Sequence, residues 1–255
     1  MSPSWLLDEM AHAGPEHLDP AYVDGYDRKQ GHPDPSDDIA LLGEHGIGPA
    51  STVVDLGAGT GRFALAIAPQ VSRVVAVDVS AAMRAHIAAA DPTVDVVAAG
   101  FLTYRHDGGP ADAVYTRNAL HQIPDLFKAL ALQRIAEMLR PGGVLLLRDL
   151  VFDAEPAELP GLVERWFSGA VRDPARGYTA EDTPSICGPN SARSAGCSNR
   201  CFNTPGLTLC RSNMRDRSTV ATSVAAAART RQTGRARTMG RPRVAPATRP
   251  LPGPP

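Results

Sequence analysis

The stretch VVDLGAGTGRFALAIAP, Val53 to Pro69, constrains the fold more than any other part of the chain. A β-branched apolar run leads into three glycines on alternate positions, and an apolar helical pattern follows at once. A strand that turns through glycines into a helix brings backbone N–H groups to the carboxyl end of a strand, the layout of a nucleotide pocket. Glycine suits that turn because the backbone must bend sharply and approach a ligand without Cβ atoms in the way. In a dinucleotide loop, G-x-G-x-x-G, a start at Gly57 would put the third glycine at 62, where this chain has Arg62. The spacing is instead Asp55-x-Gly57-x-Gly59-x-Gly61.

The segments around this loop alternate. STVVDLG, RVVAVDVS, TVDVVAAG, ADAVYTRNA and GGVLLLRDLVF read as strands, and RFALAIAP, AAMRAHIAAA and a long stretch from about Asp125 to Arg140 read as helices. Continuous apolar runs, rather than strict alternation, predict strands buried on both faces. The alternation predicts an α/β fold with a doubly wound, mainly parallel sheet. Ahead of it, residues 2–12 read as a short amphipathic helix, followed by a polar connector carrying Tyr22 and Tyr26. DPSDDIALLGEHGIG, from Asp34, reads as a helix capped by Ser36 and ended by Gly46. GLVERWFSGAV is one further candidate helix.

Charge divides the chain. The net charge of −1 hides a segment from Thr183 to Pro255 with twelve arginines, no lysine and one acid, Asp216, so the front part is strongly acidic. All four cysteines (Cys187, Cys197, Cys201, Cys210) lie in the basic segment, and all seven histidines lie in the acidic one. The cysteine spacing does not fit paired CxxC zinc geometry, so no metal is expected. The arginines come without stacking aromatics, which argues against nucleic acid as a partner. The start, MSPSWLLDEMAHAGPEH, has no basic lead and no long apolar run, and no stretch reaches membrane-span length; a soluble cytoplasmic protein is expected.

The glycine spacing resembles motif I of the class I S-adenosylmethionine-dependent methyltransferases. Three further segments resemble that family in order: RVVAVDVSAAM with Asp78 closing the second strand, NALHQIPD after strand four, and LRPGGVLLL at the turn into strand five. The family commonly has two histidines after that leucine; here Gln122 replaces the second. The resemblance implies S-adenosylmethionine as cofactor, with Asp55, Gly57, Ala58, Gly59 and Gly61 at its amino-acid portion and ribose. It implies Asp78 accepting from both ribose hydroxyls, with Val79 and Asn118 in the same pocket. Tyr26 either covers the cofactor from an N-terminal lid or packs on the surface. Members commonly carry an acid soon after strand three, near the adenine amino group; this chain has AAGFLTY, where Phe101 either packs on the adenine or belongs to the core. His121 is the candidate catalytic base, with shaping of the pocket as its alternative role.

On this reading residues 1–48 form a helical lid, 49–182 the cofactor-binding core, and 183–255 an Arg/Pro/Ala-rich disordered tail. The family ends its sheet with two more strands, the last antiparallel, and the tail's composition predicts that both are lacking. A displaced reading frame in a G+C-rich gene accounts for that composition; a native basic tail is the alternative. The expected function is methyl transfer to a small-molecule acceptor, the alternative being a cofactor-binding protein without turnover. Composition does not decide the oligomeric state.

Overall fold

The computed structural model describes residues 4–30, 32–152, 157–168, 173, 193–194, 207–211, 220–221 and 224–228. Five strands form as the apolar runs predict: β1 (Thr52–Leu56), β2 (Arg73–Asp78), β3 (Asp95–Ala98), β4 (Ala111–Arg117) and β5 (Leu139–Arg148). They pair in parallel in the order β3-β2-β1-β4-β5. The order reverses between β1 and β4, so the carboxyl ends of these two strands open a crevice, the usual ligand position in an open α/β sheet.

Successive strand residues face opposite layers, and the core divides accordingly. Val54, Leu56, Val75, Val77, Val114, Leu145 and Leu147 point to the layer completed by helix α5 (Asp125–Met138) through Leu132 and Ile135. Val53, Val74, Ala76, Tyr115 and Leu146 point to the other. There they meet α2 (Ser36–Glu44), α3 (Arg62–Ile67) and α4 (Ala81–Ala90) through Leu42, Phe63, Ile67 and Ile87.

The N-terminal part departs from expectation. Residues 2–12 were expected as a helix, but the described part holds only a 3-10 turn over Met10–His12. The polar connector contains helix α1 (Pro20–Lys29). Asp19 caps α1, accepting from the Ala21 N–H at 2.9 Å, and Pro20 stands in its first turn, a start signal that the connector's polarity masks. Ser36 does not cap α2; it is its first helical residue, and Asp34 accepts from both the Ser36 N–H and its hydroxyl at 2.9 and 2.6 Å. Gly46 follows α2 at φ +84°, as a stop residue should.

The C-terminal expectation needs a larger correction. The sheet does not stop at β5. Leu207–Arg211 and Val224–Ala228 are strands, and the second pairs antiparallel with both β5 and the first. LTLCR is a short apolar run, whereas VAAAA has little strand propensity of its own; the β5 edge offers Val144 to Leu147 in register to Val224–Ala227. A short apolar segment gains backbone hydrogen bonds at such an edge, whatever the composition around it. A three-stranded sheet pairs Leu150–Phe152 with Arg193–Ser194 and Val220–Ala221. The candidate helix in GLVERWFSGAV forms over Leu159–Ser168. The rest of the expected disordered tail, including Cys187, Cys197 and Cys201, lies outside the described residues.

Candidate functional site

The glycine loop closes the carboxyl end of β1 through three left-handed residues, Gly57, Gly59 and Gly61, at φ +72°, +55° and +81°. Gly57 and Ala58 donate to the Val77 carbonyl at 2.8 and 3.1 Å, which ties the loop to β2. A methyl group on Gly57 would lie 2.5 Å from the Ala119 Cβ, and one on Gly61 would lie 2.6 Å from Ile87 Cγ1. The loop is thus wedged between the segment after β4 and helix α4. A methyl group on Gly59 would instead make only an ordinary contact, 3.8 Å from Tyr26 Cε1.

Asp78 ends β2 next to this loop. One carboxylate oxygen accepts from the Gly59 N–H at 2.9 Å and the other from the Ser80 N–H at 2.8 Å. Ser80, not Asp78, caps α4, its hydroxyl accepting from the Met83 N–H at 3.2 Å. Burial raises the Asp78 pKa, opposed by these two N–H groups and by the charges of His17 and Arg84. Each oxygen keeps a further lone-pair direction, the arrangement that two neighbouring hydroxyl donors require.

Asp55 is different. It is 2% exposed and accepts from the Ala64 N–H in the first turn of α3, so it holds the loop and presents little carboxylate to solvent. Burial first, and the charge of Asp78 second, push its pKa up to about 8.

Two connected clefts run over the loop. The first, about 580 Å³, includes Tyr26, Asp55, Gly57, Ala58, Gly59, Arg62 and Arg117 in its lining. The second, about 690 Å³, includes Asp78, Val79, Met83, Gly100, Phe101 and Gln122. Tyr26, Gly57, Gly59, Arg117 and Asn118 line both. Of the residues expected from sequence, Asp55, Gly57, Ala58, Gly59, Asp78, Val79, Phe101, Asn118 and Tyr26 all line a cleft. Gly61 is not among the lining residues; its place is the packing against Ile87. Phe101 is packed in the core at 8% exposure and also borders the cleft. Asn118 stands at φ +51°, a strained conformation that asparagine tolerates better than most residues, and donates its N–H to the Arg148 carbonyl at 2.9 Å.

His121 lies behind the wall rather than in it. Its Nδ1 is 2.5 Å from an oxygen of Asp149, whose other oxygen accepts from the His121 backbone N–H at 2.9 Å. With the proton on Nδ1, Nε2 carries the lone pair, 3.2 Å from the Gln122 amide nitrogen. Gln122 and Ile123 face the second cleft.

Four residues of the site escaped the sequence reading. Asp149 does so because its partner is 28 residues away and a lone acid after a strand carries no pattern. Glu9 reaches from the N-terminal segment to the turn after β3, accepting from the Leu102 N–H and the Thr103 hydroxyl, both at 3.0 Å. Its carboxylate occupies the space a side chain on Gly100 would need, and burial raises its pKa against those bonds. Gly100 was the available clue: it leaves room for a carboxylate brought from elsewhere in the chain. Arg117 and Asp38 are the other two. Asp38, 1% exposed in α2, accepts from the Tyr115 hydroxyl at 2.8 Å and pairs with Arg148 and Arg117.

S-adenosylmethionine fits this donor set: a buried acceptor pair at Asp78, a loop whose Gly59 lines both clefts, and an apolar slot of Val79, Met83, Ala99 and Phe101 for a planar base. Among the described residues no cluster of His, Cys, Asp and Glu is arranged to hold a metal ion, and no helix is long and apolar enough to cross a membrane.

Comparison with known proteins agrees with the geometry. Residues 53–143 match the model of a methyltransferase domain family. An uncharacterised methyltransferase of Exiguobacterium sibiricum is 30% identical over 131 residues, 50% of this chain and 61% of that protein. A second, from Oceanobacillus iheyensis, is 24% identical over 106 residues, 42% of this chain and 50% of that protein. The chain thus spans between half and three fifths of the length of these relatives. The fold is similar to that of magnesium protoporphyrin IX methyltransferase from Synechocystis, solved with bound S-adenosylmethionine. The TM-score is 0.56 at 14% identity, over 90% of this chain and all of that one. Domain match and strand order agree: residues 53–143 resemble a methyltransferase domain, and the fold is similar to that of a solved methyltransferase.

Proposed function

We propose that this chain binds S-adenosylmethionine across the glycine loop and transfers its methyl group to a small-molecule acceptor. The observation that carries the reading is Asp78, a carboxylate at the end of β2, one strand from the strand-order reversal, fixed by the Gly59 and Ser80 N–H groups with lone pairs left for a ribose. When bound, the cofactor supplies an electrophilic methyl group on a positively charged sulfur. The chain's own work is then alignment and exclusion of water, and alignment alone can contribute about 7–11 kcal/mol to the barrier. The segment from residue 4 through α1 roofs the clefts through Glu9, His17 and Tyr26, which favours a small acceptor over a polymer.

For an acceptor that must lose a proton, His121 is the base we assign. Asp149 holds the proton on Nδ1, so Nε2 is the basic atom, and movement of the Gln122 side chain opens it to the cleft. The alternative, a cofactor-binding protein without turnover because its C-terminal part is replaced, predicts cofactor binding with no labelled methyl transferred.

Calorimetry with S-adenosylmethionine and S-adenosylhomocysteine on the full chain, followed by transfer of labelled methyl to a panel of hydroxy, amino and thiol compounds, tests the proposal. Binding of neither compound would refute it.

A further inference from the structure

We infer that Arg117 is a carboxylate anchor at the junction of the two clefts, serving the amino-acid end of the bound cofactor. The inference rests on the cofactor reading above but concerns a residue that the reading does not use.

Three observations carry it. Arg117 ends β4 and lines both clefts, together with Tyr26, Gly57, Gly59 and Asn118. Its side chain is 36% exposed, whereas its carboxylate partner Asp38 is 2% exposed behind it. That carboxylate is shared: Arg148 contacts one oxygen, while the other accepts from the Tyr115 hydroxyl at 2.8 Å and lies 3.5 Å from Arg117. Two guanidinium groups thus meet one carboxylate, and the looser and more exposed of the two borders the clefts.

The other cation of the first cleft, Arg62, is already committed, donating to an oxygen of Asp27 at 3.3 Å and to the Pro33 carbonyl at 3.0 Å. The surplus positive charge therefore faces the ligand at Arg117. A guanidinium offers five N–H donors in a fixed fork and suits a planar anion such as a carboxylate. A ligand with its ribose at Asp78 that extends along Gly59 into the first cleft passes Arg117 with its amino-acid end.

The test compares S-adenosylhomocysteine, which carries the α-carboxylate, with 5′-methylthioadenosine, which lacks it, on wild type, Arg117→Lys and Arg117→Gln by calorimetry. Arg117→Gln should weaken S-adenosylhomocysteine by about 10- to 100-fold, the range of a charge-assisted hydrogen bond. It should leave 5′-methylthioadenosine within twofold, which also reports an intact pocket. Arg117→Lys, which keeps the charge without the fork and leaves Arg148 on Asp38, should fall between. Benzoate titrated into the S-adenosylhomocysteine-saturated protein separates the two sources of a carboxylate. If only benzoate binding depends on Arg117, its carboxylate is the acceptor's and the assignment to the cofactor is overturned. If neither benzoate nor the ratio of the two nucleosides responds, the inference is overturned. If wild type binds neither nucleoside, the cofactor reading itself fails, a distinguishable result.

Discussion

Replacing Asp55 by asparagine should stabilise the protein, and more so at alkaline pH. The carboxyl is 2% exposed, and burial with the charge of Asp78 pushes its pKa up to about 8. In the unfolded chain the same group titrates near 3.9. The folded state therefore holds a proton that the unfolded state releases. Asp55 imposes no penalty below about pH 4, and stability is lost as the pH rises from there towards about 8. At about 1.36 kcal/mol per unit, the gain from Asp55→Asn should be about 3 kcal/mol greater at pH 8 than at pH 5. Asparagine keeps an oxygen for the Ala64 N–H, and any fixed cost of its own amide N–H groups cancels between the two pH values. Thermal melts of wild type and variant at pH 5, 6.5 and 8 read this as a difference in Tm that widens by about 6–12 °C. A difference that stays constant, or shrinks as pH rises, would refute the account of Asp55 as a buried, mostly protonated acid.

Asp78→Asn should weaken S-adenosylhomocysteine about 10- to 100-fold, since one acceptor oxygen becomes a donor; calorimetry at neutral pH checks this. Asp149→Asn should reverse the His121 tautomer, read by nitrogen-15 shifts of the imidazole, and cost about 1–3 kcal/mol from a buried pair left poorly matched. Gly61→Ala should destabilise by about 2–4 kcal/mol, because a left-handed φ and the Ile87 side chain both resist the added methyl; adding Ile87→Ala should relieve only the steric part. Glu9→Gln should loosen the N-terminal segment, seen as faster proteolysis within residues 4–18 and faster amide exchange at Leu102.

The parallel sheet was legible because its inner strands carry apolar runs buried on both faces, although β3, at the sheet edge, is exposed or half-buried throughout; the doubly wound order follows from the helices between them. The pocket floor was legible for a similar reason: Gly57, Gly59, Gly61 and Asp78 sit at fixed spacing from their own strands. What could not be read are the groups that meet across the chain. Glu9 joins Leu102 over 93 residues, and Asp38 joins Tyr115 over 77, with no periodicity to mark either partner. Helix α1 was missed because tyrosines and charges hid its apolar stripe, of which only Val23 is buried, although Asp19-Pro20 marked its start. The strands at 207–211 and 224–228 were missed because four alanines carry little strand propensity, and the edge they join decides their conformation.

The two wedged glycines also bear on rates. With Gly57 against Ala119 and Gly61 against Ile87, the floor of the pocket has no slack to yield when a ligand arrives or leaves. The covering segment is held differently, by separate polar contacts: Glu9 to Leu102 and Thr103, the His17 carbonyl to the Ser80 hydroxyl, and Asp27 to Thr60 and Arg62. Traffic through the site is therefore governed by the cover. Weakening any one of those contacts should speed release and entry together, leaving equilibrium affinity less changed than either rate.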